Sequence, residues 1–184
     1  CAATWLQFNF MHSTDSLFQL DALWQSVHSQ PLPTKLAPWL LSQGSLTALL
    51  KQHCQTFRLE LVTEHWQNLP APLQQQWQQR QGLKRDVILW CDAKACIYAQ
   101  SWLPESTLQQ MEPLARLGAQ PLGEYIFQHD SLERGVIEVA LLQAGLLLPV
   151  LGEQQQLWAR RSVFSVQQQP LLVQEIFLPG VLEL

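Results

Sequence analysis

The sequence predicts an α+β fold, with helices packed on a single antiparallel sheet. Three observations carry the fold class. Apolar residues switch between helical and alternating spacing in blocks, in the order helices, strands, helices, strands. Neighbouring strand segments are joined by short polar turns, which pairs them antiparallel. No β–α alternation recurs at regular spacing, which argues against a parallel sheet wound on both faces. The 184 residues suit one domain, 1–184, and suffice for a substantial core.

The elements follow in order. "DSLFQLDALWQSVH" (15–28) sets Leu17, Leu20, Leu23, Trp24 and Val27 at helical spacing, with Asp15 or Ser16 as cap. Residues 1–34 thus read as a helical extension closed by Pro31 and Pro33. "APWLLSQGSLTALLKQHC" is a short helix, a break at Gly44 and a second helix with Ser45 as N-cap. "TFRLELVTEHW" alternates, with Phe57, Leu59, Leu61 and Thr63 on one side and Arg58, Glu60, Val62 and Glu64 on the other: a half-buried strand. "NLPAPLQQQWQQRQG" opens on proline and reads as a surface helix ending at Gly82. "LKRDVILWCD" and "CIYAQSWLP", joined by "DAKA", form a hairpin that Pro104 ends. "ESTLQQMEPLARLG" and "PLGEYIFQH" are helical pieces stopped by Gly118 and His129. "LERGVIEVALL" resumes a strand, and "LWARRSVFSV" with "PLLVQEIFLPG" supplies a last pair around a glutamine turn.

Bulk properties narrow the function. Hydrophobic content of 47% with only 14% charged residues marks a globular chain. A net charge of −4 argues against nucleic-acid binding, which needs a basic surface. The longest apolar run, "VALLQAGLLLPVLG", falls short of the roughly 20 residues a membrane span needs and is broken by Gln143 and Pro149, so no membrane insertion is expected. The start "CAATWLQFNF" has no basic segment and no Met, so a truncated or processed start is expected ahead of a secretory signal or a mature lipoprotein. Cysteines 1, 54, 91 and 96 match neither a disulfide framework nor a zinc site, and reduced thiols in a cytoplasmic protein are expected. His12, His28, His53 and His65 lack ligand spacing, so no metal site is expected. His129, Asp130 and Ser131 are consecutive and cannot converge as a triad.

Charges inside apolar strands are the functional signal. Glu175 shares a face with Leu171, Val173 and Phe177, and Arg85 with Val87, Leu89 and Cys91. Arg160 goes with Trp158, Ser162 and Phe164, and Arg161 with Ala159 and Val163, so only one of the two arginines shares a side with Glu175. Arg134 and Glu138 add charges on a further strand. One reading is an Arg–Glu pair holding two strands in register. The other is a polar pocket on the sheet's covered side, where local arginines grip a small anion against the acidic average of the chain.

"RDVILWCD", "AQSWLPESTL", "LARLGAQPLGEYIF", "LWARRS" and "PLLVQEIFLPG" resemble the chorismate pyruvate-lyase family of ubiquinone biosynthesis, in order from about Trp39 to Gly180. The resemblance implies a sheet of about six strands with helices on one side and helical flaps over an internal ligand pocket, and it implies that chorismate is split into pyruvate and 4-hydroxybenzoate without a cofactor or metal. Those two small molecules would be the partners, in the cytoplasm, with the protein a monomer. It places the ring-carboxylate grip on Arg85, a backbone N–H to the same group on Leu122, and a carboxylate near the 4-position oxygen on Glu175. Flap residues fall on Ser45 and Leu46. Where the family has an arginine facing the pocket, this chain has Gln100, which is expected to meet the pyruvyl carboxylate as a neutral amide. Losing the charge would cost about 1.5–3 kcal/mol of binding, roughly ten- to a hundredfold. The connection Leu141–Gln156 is longer than the family's usual one. The alternative is a non-catalytic domain of the same fold that binds an aromatic acid such as 4-hydroxybenzoate, as effector domains of bacterial regulators do. The absence of Arg and Lys from the first 34 residues counts against a regulator.

Overall fold

In the computed structural model, residues 22–143 and 156–184 are described. In chain order the elements are β1 (Gln25–Ser26), α1 (Ala37–Leu40), α2 (Leu46–Lys51), β2 (Phe57–Asn68), α3 (Ala71–Trp77), β3 (Gln81–Cys91) and β4 (Lys94–Pro104). Then come α4 (Glu105–Gln110), a 3-10 turn (Glu112–Arg116), α5 (Leu122–Ile126), β5 (Glu133–Arg134), β6 (Glu138–Gln143), β7 (Gln156–Val166), β8 (Gln169–Phe177) and a closing 3-10 turn (Pro179–Glu183). The expected antiparallel sheet is present, with eight strands in place of about six; β1 and β5 are two-residue pieces. The order is β1-β6-β7-β8-β4-β3-β2, with β5 also on β7.

Local chemistry explains the turns. Asp92 adopts φ 55° at the β3–β4 turn, and its Oδ1 accepts from the backbone N–H of Gln55 and Thr56, tying the start of β2 to the hairpin tip. Between β7 and β8, Gln167 and Gln168 both take positive φ, 51° and 65°, the two-residue turn whose twist matches the strands it joins. Ser45 caps α2 as expected, its Oγ accepting from the Ala48 N–H.

Two bulges set which residues face which side. Pairing of β3 with β4 starts at Cys91↔Lys94 and slips by one between Leu89 and Trp90, so Arg85 ends opposite Ser101. Pairing of β2 with β3 slips between Leu61 and Thr63, so Glu64 ends opposite Arg85. That slip moves Glu64 onto the side of Leu59, against the unbroken alternation expected.

Each face of the sheet is covered. On one, α1 and α2 pack with Val87, Leu89, Ile97, Val139 and Phe177, while α4, the 3-10 turn and α5 pack with Leu83, Leu103, Phe164 and Leu171. On the other, α3 brings Leu73 against Trp102 and Leu172, and Trp24 joins Tyr98, Ala159 and Ile176. Helices are thus concentrated on one side, with α3 as the exception.

Several expectations change. Residues 22–28 are not helical; Gln25–Ser26 pairs with β6 as β1, and the rest of the expected N-terminal helix lies outside the described residues. The α3 helix stops at Gln78 in a left-handed conformation, and Gly82 belongs to β3, where a side chain would meet the Leu103 carbonyl. "LERGVIEVALL" is interrupted into β5 and β6. Cys54 and Cys91 are joined as a disulfide, against the expected free thiols, with Cα atoms 5.1 Å apart; Cys96 is free and buried. Most of the long connection 141–156 lies outside the described residues.

Candidate functional site

A hollow lies between the sheet and the starts of α2 and α5. Its floor is Arg85, Val87 and Leu89 of β3, Ala99 and Ser101 of β4, Val173 and Glu175 of β8, and Arg160 and Phe164 of β7. Its roof is Gly44 to Thr47 and Pro121 to Gly123, with Ile126 and Phe127 behind. The two roof segments touch at Ser45 and Gly123, where a Cβ on the glycine would lie 3.0 Å from the Ser45 Oγ. Outside, Lys51 and Glu124 form an ion pair that links α2 to α5.

Arg85 is 2% exposed. Its Nε donates to Glu64 Oε2 at 3.1 Å, and its Nη2 donates to the carbonyls of Gly118 and Gln120 at 2.6 and 2.9 Å. Nη1 has no partner among the described residues, and the side chain lines the hollow. Burial weakens the guanidinium's hold on its proton and Glu64 partly restores it; at neutral pH the group stays charged. The same contacts fix the loop leading into α5. Leu122, the first residue of that helix, thereby sits at the roof with an N–H that no carbonyl of its own helix can accept.

At the far end, register places Arg160 directly opposite Glu175, and Arg160 Nε donates to Glu175 Oε2 at 2.7 Å. This settles the parity left open by the sequence. Arg161 points to the other face, where its Nε donates to Glu138 Oε2 at 2.7 Å, so neither Arg161 nor Glu138 belongs to the hollow. Arg160 Nη1 donates to the carbonyls of Trp39 and Ser42, at 2.9 and 2.8 Å. Arg134, arriving from β5, donates through Nη1 to the carbonyls of Ser42 and Gln43, and through Nε to Ser162 Oγ. Its guanidinium lies 5.0 Å from the centre of the Phe164 ring.

Of the residues expected in a pocket, the structure brings Arg85, Leu122, Glu175, Ser45 and Leu46 together around one hollow. Gln100 is the correction. The bulge between Leu89 and Trp90 puts Ser101 beside Arg85 and turns Gln100 to the opposite face, next to Asp86 and Gln174. There its Oε1 accepts from Trp102 Nε1 at 2.9 Å. It cannot reach a ligand in the hollow, and the tenfold to hundredfold loss expected of it does not arise by that route. Its surroundings are a buried polar patch in which Lys84 Nζ lies 3.5 Å from Asp86 Oδ2. Burial pushes the Asp86 carboxyl above its ordinary value, against the pull of Lys84 and the neighbouring hydrogen bonds.

Sequence reasoning missed Glu64, because only the β2 bulge turns it toward Arg85. It also missed the walls Phe127 and Phe164, which alternation marks as core and nothing local marks as pocket. Among the described residues, no three His, Cys, Asp or Glu side chains gather closely enough to hold a metal ion, and no helix is long and apolar enough to cross a membrane.

The covered face of the antiparallel sheet thus holds a roofed hollow lined by Arg85 and Arg160. Solved structures share this fold: the effector domain of PhnF from Mycobacterium smegmatis superposes with a TM-score of 0.56 at 16% identity, covering 75% of this chain and 90% of that one. The ligand-binding domain of a putative GntR-family transcriptional regulator from Bordetella bronchiseptica gives 0.52 at 14% identity, covering 67% and 85%. Sequence goes further than fold. The family model described as "Chorismate lyase" matches residues 18–183, and the chain belongs to that family. It is 40% identical over 170 residues to a probable chorismate pyruvate-lyase of Pseudoalteromonas translucida, covering 88% of this chain and 94% of the relative. A probable chorismate pyruvate-lyase of Methylobacillus flagellatus is 36% identical over 157 residues, covering 80% and 88%.

Proposed function

We propose that the protein eliminates pyruvate from chorismate and releases 4-hydroxybenzoate, the first committed step toward ubiquinone. The observation that supports this most is the polarity of the hollow. A buried arginine with an uncommitted nitrogen stands at one end and a carboxylate at the other, with Val87, Leu89, Ile126 and Phe127 between them as apolar walls. That is the outline of a ring with a carboxylate at position 1 and a hydroxyl at position 4.

The reaction breaks the C3–O ether bond, moves the hydrogen of C4 to the methylene of the departing enolpyruvyl group, and leaves an aromatic ring. Aromatisation makes it strongly downhill, so the protein's task is orientation, which can supply much of the barrier reduction. Arg85 Nη1 and the Leu122 N–H hold the ring carboxylate; the apolar walls exclude water and strengthen these contacts. Glu175, whose Oε2 is held by Arg160, offers Oε1 as acceptor to the 4-hydroxyl. In one route the carboxylate takes the C4 proton and returns it to the enolpyruvyl carbon. In the other the hydrogen passes internally and Glu175 only positions the ring.

Mixing the protein with chorismate while following 4-hydroxybenzoate absorbance and pyruvate tests the proposal. Both products are expected in equal amounts; a thermal shift with 4-hydroxybenzoate and no turnover would replace the enzyme by a binder. Glu175→Gln separates the two routes. A general base loses on the order of 10²–10⁴ in kcat, whereas a positioning acceptor loses about tenfold.

A further inference from the structure

Chorismate is a dianion, and Arg85 with Leu122 accounts for one carboxylate. Resting on the proposed reaction, we propose that Arg160 and Arg134 form a second anion subsite, which takes the carboxylate of the departing three-carbon side chain.

Three observations carry this. The first is position. Arg160 lines the hollow beside Glu175. With Glu175 at the 4-hydroxyl, the neighbouring ring carbon is C3, so its side chain extends toward Arg160 and not back toward Arg85. Phe164, on which the Arg134 guanidinium stacks, lines the same end.

The second is donor count. A guanidinium has five N–H groups. Nε and Nη1 are committed in both residues, to Glu175, Trp39 and Ser42 for Arg160 and to Ser162, Ser42 and Gln43 for Arg134. Nη2 has no partner among the described residues in either. Arg160 is 1% exposed and lines the hollow.

The third is charge. Arg85 is offset by Glu64, but Arg160 and Arg134 share the single carboxylate of Glu175. Both also converge on one carbonyl, that of Ser42. Burial, and then repulsion from Arg160, bring Arg134 down to about 10, with Glu175 offsetting. Among the described residues, Arg160 is the one that pairs with Glu175, and the half-buried Arg134 forms no ion pair. Holding a roof loop needs only neutral donors, and a charge partly withdrawn from water without a partner carries a desolvation cost. A second anion removes that penalty.

The subsite makes a selectivity that a loop latch would not. Substrate and product share the ring carboxylate, and only the substrate carries the second one. Arg134→Gln is the better probe, since Arg134 does not touch Glu175. The proposal expects at least a tenfold rise in KM for chorismate with Ki for 4-hydroxybenzoate changed less than threefold, and Arg134→Lys recovering part of the loss. Equal changes in both constants, or none in KM, would overturn it. If Arg134→Gln does not fold, as judged by circular dichroism, Arg134→Met, which keeps the length of the stem and removes the charge, replaces it under the same criteria. A wild type without turnover would sink the proposed reaction and leave the subsite open to a binding measurement. For that, 3-(carboxymethoxy)benzoate, with two carboxylates, is titrated against 4-hydroxybenzoate by calorimetry. The arginine variant should weaken the dianion at least tenfold more than the monoanion, and equal weakening would reject the subsite.

Discussion

Replacing Arg85 by alanine tests the site at its most constrained point. The side chain supplies one uncommitted nitrogen to the hollow and anchors the loop before α5 through two carbonyls, those of Gly118 and Gln120. A charge-assisted hydrogen bond to a ligand carboxylate contributes about 1.5–3 kcal/mol, and the neutral Leu122 N–H, if the loop drifts once released, about 0.5–1.5 more. The sum, about 2–4.5 kcal/mol, corresponds to a fall in kcat/KM of about 30- to 2,000-fold. Stability suffers less than for a fully buried pair, because the Glu64 side chain left behind is 20% exposed and can hydrate. The assay is steady-state turnover of chorismate beside a melting curve. A variant that melts cooperatively and keeps kcat/KM within threefold of wild type would refute the assignment of Arg85 as the ring-carboxylate grip.

Three further outcomes are expected. Gly123→Ala puts a Cβ 3.0 Å from the Ser45 Oγ and wedges the two roof segments apart, so stopped-flow release of 4-hydroxybenzoate quickens while Tm barely moves; an unchanged release rate counts against the roof as a barrier. Gly180→Ala places a Cβ 2.3 Å from the Ala95 carbonyl oxygen, a backbone clash costing about 1–3 kcal/mol and lowering Tm by about 2–12 °C; an unaltered melting curve would show that the C-terminal turn gives way freely. Asp86→Asn changes the pH dependence of stability. The folded carboxyl binds its proton more tightly than the unfolded one, so its contribution is full below the unfolded pKa and is lost as pH rises through the higher folded value. Removing it flattens that decline, and parallel Tm-against-pH curves for wild type and variant would contradict the raised value.

The roofed site also explains why both pocket arginines donate to loop carbonyls. The roof segments, at 44–47 and 121–123, are the starts of very short helices, α2 and α5. Buried guanidiniums pin the loops next to them from below, so the groups proposed to bind the ligand also hold the lid.

The run of elements from α1 to α5, the two hairpins, the Ser45 cap and the charged residues within the apolar strands β3, β7 and β8 were legible in the amino-acid sequence. All of these depend on neighbours within a few positions: side-chain alternation, turn chemistry, capping. Which of Arg160 and Arg161 meets Glu175 was not legible, because parity pairs residues on a face without saying which face of the next strand it joins. Gln100 and Glu64 make the same point. The resemblance places Gln100 in the pocket and uninterrupted alternation places Glu64 away from Leu59, and in each case a one-residue bulge puts the side chain on the other face. The two-residue strand at Gln25–Ser26 has helical periodicity in its sequence, and pairing with the open edge of β6 overrides it. Local sequence therefore determined what each segment is, and the tertiary structure decided what each side chain faces, since register is a property of two strands and never of one.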